Sequence, residues 1–231
     1  MIHTIIQNIE VYFSEKKQGD CRGKALVNNL CKNNKIFQDK KIAYSAVSHG
    51  SRIEEVTQDN YSESFSCDAL ISCDSGIAVS ISVADCLPIV ICDSVSGFFA
   101  LVHGGWRSLL QNIVPLTIKE SMLRFEASPE DMYVWIGPSI RSCCNIAQTA
   151  EIHQSFPEWR PFIEEKHDGM HIDLQKAVQY QCQNQGILQE NILDSGSCTF
   201  HQEQDFFSYR RAMLHNDPLE DKRHMCIVGM Q

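Results

Sequence analysis

Apolar and polar residues alternate strictly through Ile77-Ala78-Val79-Ser80-Ile81-Ser82-Val83, which places Ile77, Val79, Ile81 and Val83 on one face and predicts a half-buried strand. Residues 84–107 then carry two further apolar runs on either side of Asp93-Ser94-Val95-Ser96-Gly97. Asp and Ser offer local side-chain hydrogen bonds and Gly tolerates positive φ, so this pentapeptide reads as a hairpin turn. A hairpin brings its outer ends together. Cys86, at the start of the first run, is therefore expected beside His103, at the end of the second.

Around this centre the periodicity is less regular. Residues 2–13 alternate loosely and predict a first strand, and 24–31 predict a short helix through Ala25, Leu26, Val27 and Leu30. A strand over 42–47 ends at Ser48-His49-Gly50, where His49 is placed to face a cleft instead of the core. Residues 67–76 suggest a short strand and turn. Leu109, Leu110, Ile113, Val114 and Ile118 fit one helical face, with Pro115 expected to kink or split the helix. Residues 132–136 read as a buried strand, 147–156 as modestly helical, and 157–169, rich in Pro, Glu and Lys, as a surface excursion. Asp173 is a good N-cap for a helix carrying Leu174, Ala177, Val178 and Cys182, closed by Gly186. A last strand falls at 224–230. Strands and helices in mixed order, without a dividing linker, predict one α+β domain over residues 1–231.

The 231 residues are 43% hydrophobic and 21% charged, enough for a substantial core, and no run approaches the length of a membrane span. The first residues show no signal-peptide pattern, so a cytoplasmic location is expected. Eleven scattered cysteines without a CxxC pair fit buried, reduced thiols. The net charge of −9, with no Lys/Arg cluster, argues against nucleic acid and favours a small-molecule partner.

His49, Cys86 and His103 each stand at a strand end beside a glycine or polar residue. One thiolate and two imidazoles suit Zn²⁺, and three protein ligands leave a fourth position for water or substrate. The set also resembles the His₂Cys arrangement of blue copper; no Met lies near these residues in sequence, which ranks copper second. A third reading needs no metal, with Cys86 as thiolate nucleophile and His103 as its base. A fourth leaves Cys86 in the core and the histidines bonded to backbone. Gly104-Gly105-Trp106-Arg107, at a helix start, suits an anion held by free amides and a guanidinium. Arg210-Arg211 offers a second cation, or two solvated charges. Cys143-Cys144 is read as structural, because adjacent cysteines seldom form a relaxed disulfide. His3, His153, His167, His171, His201, His215 and His224 show no HExxH-type pairing and stay unassigned.

In order, Ala84-Asp85-Cys86-Leu87-Pro88-Ile89, Val102-His103-Gly104-Gly105-Trp106-Arg107, Ile136-Gly137-Pro138-Ser139-Ile140 and Phe206-Phe207-Ser208-Tyr209-Arg210-Arg211 resemble the multicopper polyphenol oxidase (laccase) family, also described as purine nucleoside phosphorylases. His49, His171-Ile172-Asp173-Leu174 and Cys198-Thr199 match as well. The resemblance implies a four-layer α/β/β/α fold with mixed sheets and zinc at His49, Cys86 and His103. It also implies phosphorolysis of adenosine, inosine and methylthioadenosine, and deamination of adenosine. Phosphate would then meet Gly104, Gly105, Arg107 and Arg210, with Asp85 as a guess for the general acid or base. Copper oxidation of phenols, hydrolytic editing of peptidoglycan precursors and a non-enzymatic, metal-binding regulatory role are the alternatives. The chain departs from the family in reading HGGWRS for HAGWRG, Asn145-Ile146 for a tyrosine-glutamate pair, and Ser14-Glu15-Lys16 for an arginine and paired glycines.

Overall fold

The computed structural model describes residues 1–32, 37–147, 156–218 and 222–231. Most of the helical stretch expected over 147–156 lies outside the described residues. Residues 2–13 form a hairpin and not one strand: Gln7, at φ 55, reverses the chain between β1 (Ile2–Ile6) and β2 (Ile9–Phe13). There follow α1 (Lys24–Lys32), β3 (Lys41–Ser45), β4 (Ile53–Glu55), β5 (Ala69–Ser72) and β6 (Ile77–Val83). The central hairpin is β7 (Leu87–Asp93) and β8 (Phe98–Gly104), paired antiparallel with Pro88 opposite His103. The next helical stretch is indeed split, into α2 (Trp106–Leu110) and α3 (Ile113–Phe125). The break is at Asn112, φ 59, and Pro115 falls in the first turn of α3, where its missing N–H costs nothing. The chain ends with β9 (Tyr133–Ile136), β10 (Ile163–Lys166), β11 (Gly169–Ile172), α4 (Leu174–Gln183), β12 (Ile192–Asp194), α5 (Tyr209–His215) and β13 (His224–Met230). Asp173 caps α4 as expected, accepting from Lys176 N at 2.8 Å.

Two mixed sheets face each other, β1-β2-β13-β6-β3 and β12-β9-β7-β8-β5-β4. Phe13, Val79, Ile81, Phe99, Leu101 and Val228 fill the space between them. Leu87, Ile89, Ile91, Ala100 and Val102 point the other way, under α2, α3 and α4. Helix α1 covers the outer face of the first sheet through Val27 and Cys31, against Ala78 and Ile227. The result is one domain of layers α/β/β/α, and it explains why β7 and β8 read as continuous apolar runs: strands covered on both faces need no alternation. It also corrects the half-buried reading of β6. All seven of its residues are buried, and Ser80 and Ser82 satisfy their hydroxyls on the carbonyls of Ala43 and Cys21. The 157–169 stretch is likewise more than an excursion, since Trp159 and Phe162 enter the helix-side core. Among the described residues no helix is long and apolar enough to cross a membrane.

His224 shows how polar groups are accommodated in this core. It is fully buried among Phe13, Phe206 and Phe207, and its Nε2 accepts from Phe207 N at 2.7 Å. Burial pushes its pKa down to about 4 from 6.5. The unfolded chain then binds this proton more tightly, so stability is intact above the unfolded value and is lost as pH falls from 6.5 towards 4. We expect about 3 kcal/mol from this residue by pH 4. Urea titrations at neutral pH and pH 4 should show His224→Gln losing less stability on acidification than the parent chain.

Candidate metal centre

Three separate segments converge at one end of the sheets. His49 lies on the loop after β3 with φ 59, a left-handed conformation that a non-glycine residue holds only when its surroundings impose it. Cys86 immediately precedes β7, and His103 is the penultimate residue of β8. Their donor atoms all lie within 4.8 Å of one another, and the two imidazoles meet edge to face with centroids 4.7 Å apart. The hairpin thus sets Cys86 beside His103, as its turn predicts.

Sequence reading missed the residue that organises this set. Asp68 is fully buried. His103 Nδ1–H donates to its Oδ1 at 2.8 Å, and the amides of His49 and Gly50 donate to its two oxygens at 2.9 and 2.8 Å. The Ser48 and Ser108 hydroxyls complete the shell. Asp68 therefore fixes the His103 tautomer with Nε2 left for a ligand and also bends the His49 loop towards it, the carboxylate–histidine arrangement that supports a metal. Burial opposes its charge, yet the bonds from His103, Ser48 and Gly50 hold its carboxyl well below the usual range. Burial would lower His103 too, but the Cys86 sulfur and Asp68 raise it to about 9; burial and the charge on His103 push His49 down. A soft sulfur and two imidazoles, one of them oriented by Asp68, fit zinc.

The glycines have a steric reason. A Cβ on Gly105 would stand 2.9 Å from His103 Cε1 and 3.0 Å from His49 Nδ1, and one on Gly104 2.7 Å from Ile89 Cδ1. Gly105→Ala should push the imidazoles apart and weaken metal binding roughly 10–100-fold, a loss of the size seen when support around a metal ligand is disturbed. Competition with a chromogenic chelator would measure it; unchanged affinity would show that the imidazoles yield freely.

The centre opens into a cleft of ≈ 750 Å³ that Arg107, Arg210, Tyr209, Asn145 and Met213 also line. The Arg107 guanidinium stacks on Trp106 at 4.3 Å. Arg210 donates from Nη1 to Ile146 O at 2.8 Å, and Asn145 spends its amide on Ile172 O. Asp85, φ 78, engages both carboxylate oxygens: Oδ1 accepts from Thr199 at 2.7 Å, and Oδ2 from Ser208 at 2.9 Å and Arg210 N at 2.7 Å. Burial pushes its carboxyl up against these bonds. Asp85 is thereby a brace beside Cys86, with both oxygens engaged in holding distant segments. Arg211 is not a solvated charge: it is buried and holds the carbonyls of Thr199, Phe200 and Phe206.

Fold and site together define a four-layer α/β/β/α protein with a His₂Cys centre in a cleft. The family model described as multi-copper polyphenol oxidoreductase laccase matches residues 16–217, and the chain belongs to that family. A purine nucleoside phosphorylase of Bacteroides thetaiotaomicron is 33% identical over 150 residues, covering 62% of this chain and 55% of the relative. One of Campylobacter jejuni is 32% identical over 179 residues, covering 76% and 74%. A mouse purine nucleoside phosphorylase is 30% identical over 152 residues, which cover 63% of this chain but 35% of the longer relative. Among solved structures, a hypothetical protein of Bacillus licheniformis superposes with a TM-score of 0.84 at 20% identity, covering 96% of this chain and 93% of its own. The protein YlmD of Geobacillus stearothermophilus gives 0.82 at 23% identity, covering 97% and 93%. These two likenesses concern the fold.

Proposed function

We propose that this chain is a zinc-dependent purine nucleoside phosphorylase acting on adenosine, inosine and methylthioadenosine, with deamination of adenosine as a second activity of the same centre. The observation that carries the reading is the cleft itself, which joins a three-ligand His₂Cys set to the cationic side chains Arg107 and Arg210 and to an apolar wall that includes Ile140, Ile172 and Leu174. Its volume suits a nucleoside with phosphate beside it. The relatives' name, purine nucleoside phosphorylase, supports purine nucleosides and phosphate as the substrate class.

His49, Cys86 and His103 would hold the zinc, which supplies Lewis-acid stabilisation of developing charge. Arg107, kept rigid on Trp106, grips phosphate through two donors, and Arg210 adds positive charge from α5. Gly104 and Gly105 leave the approach to the ligands open. The apolar wall and Tyr209 receive the purine. A phosphate oxygen attacks C1′ as the bond from C1′ to the base breaks, and the fixed charges stabilise the departing electrons better than water would. Asp85 is assigned to positioning, since it holds Thr199, Ser208 and the first turn of α5 against Cys86.

Phenol oxidation by a trinuclear copper cluster ranks lower, because the sequence lacks the His-x-His pairs such a cluster uses. The deciding experiment incubates zinc-loaded protein with adenosine or inosine, with and without phosphate. Free base and ribose 1-phosphate support phosphorolysis, and inosine from adenosine supports deamination. Absence of turnover of either nucleoside overturns the reading and leaves a metal-binding protein without this enzymatic role.

A further inference from the structure

A second group of soft donors lies outside the centre just described. Cys143 and Cys144, on the loop after β9, meet Cys198 and His201, on the loop between β12 and α5, with all four donor atoms within 4.8 Å of one another. The Cys143 and Cys144 sulfurs are 3.7 Å apart, and His201 brings Nδ1 to 3.6 Å from Cys143 Sγ and Nε2 to 3.2 Å from Cys144 Sγ. Tetrahedral zinc with sulfur at about 2.3 Å requires edges of about 3.8 Å between sulfurs, so the Cys143–Cys144 separation is near that of a filled site. A disulfide would need the sulfurs at about 2.05 Å. Each loop supplies two donors, adjacent on the first at Cys143 and Cys144 and three residues apart on the second at Cys198 and His201.

We propose that Cys143, Cys144, Cys198 and His201 form a second, closed zinc site that fastens these two loops together. Three thiolates and one imidazole complete a tetrahedron and leave no position for substrate, so the site is structural. The local packing shows why a cross-link is needed. Among the described residues, Ile140, Cys144 and Cys198, with Phe200 against them, form a small apolar cluster here, separate from the three larger cores. The backbone joins the loops at the bridge between Ser139 and Cys198 and by Thr199 N donating to Ser139 O at 3.1 Å. The clamp has a consequence for the first centre: Thr199, next to Cys198, donates to Asp85, the neighbour of Cys86.

The test is zinc content per chain, measured by elemental mass spectrometry on the full-length protein after zinc loading and gel filtration under reducing conditions. The parent chain is expected to hold two zinc ions, Cys86→Ala and Cys198→Ser one each, and the double variant none. Parent and Cys198→Ser chains holding equal zinc overturn the site. A second readout needs no variant. Cys73 and Cys143 are both exposed, and Cys73 belongs to no donor cluster among the described residues. Alkylation of the zinc-loaded parent should modify Cys73 at once and Cys143 only after a chelator is added. Equal modification of both before chelation, or a disulfide between any two of Cys143, Cys144 and Cys198 in the zinc-loaded protein, overturns the proposal.

Discussion

Cys86→Ala is expected to remove zinc from the His49–Cys86–His103 centre and to lower kcat/KM for inosine phosphorolysis by about 10³-fold or more. That factor corresponds to about 4 kcal/mol of transition-state stabilisation, the size of contribution a Lewis-acidic metal makes. The two histidines that remain cannot supply the anionic sulfur donor that Cys86 would give a bound zinc. The fold should survive, because Cys86 is only partly buried and belongs to none of the apolar clusters, so its truncation opens no core cavity. Zinc content, steady-state rates and a thermal melt of the same preparation provide the check. Activity within tenfold of the parent, in a variant that has lost the zinc of this centre, would sink the metal-dependent mechanism.

Asp68→Asn should affect both the metal and the fold. The substitution keeps the shape but removes the charge facing His103 and turns one acceptor into a donor, which then confronts amide or hydroxyl donors already aimed at it. Leaving such groups unpaired in a buried site costs about 3 kcal/mol. The weakened hold on His103 should also reduce zinc affinity about 10–100-fold. The pH dependence follows from the lowered carboxyl: its stabilising share is present at and above the unfolded value of 3.8 and is lost only as pH falls through the lower folded value. The parent should therefore keep this contribution through mildly acid conditions. Denaturant midpoints with and without zinc would separate the two effects. A variant with parental stability in zinc-free buffer would show that Asp68 does not organise the loop.

The convergence of His49, Cys86 and His103 was legible because each lies at the end of an apolar run, and strand ends are where side chains escape the core. Asp68 was not, since Cys67-Asp68 looks like Cys73-Asp74 and Cys92-Asp93, and its decisive partner, His103, is 35 residues away. Trp159 and Phe162 were hidden for a different reason. Their charged, proline-rich surroundings dominate a local reading, although the two rings alone decide where that segment packs. The β1–β2 reversal rests on Gln7 in a left-handed conformation, which Gln seldom signals. His201 stayed unassigned because the sulfurs beside it, those of Cys143 and Cys144, belong to residues 58 and 57 positions earlier.

Asp85 joins distant parts of the chain in a way that bears on how such a protein can change. Its left-handed backbone sets the direction in which Cys86 leaves the chain, and the groups that hold it there, Thr199, Ser208 and Arg210, are 114, 123 and 125 positions downstream. Drift in that distant turn can retune the ligand geometry without replacing a ligand. An alignment restricted to metal-binding residues would therefore score two homologues as equivalent even where their reactivities had diverged.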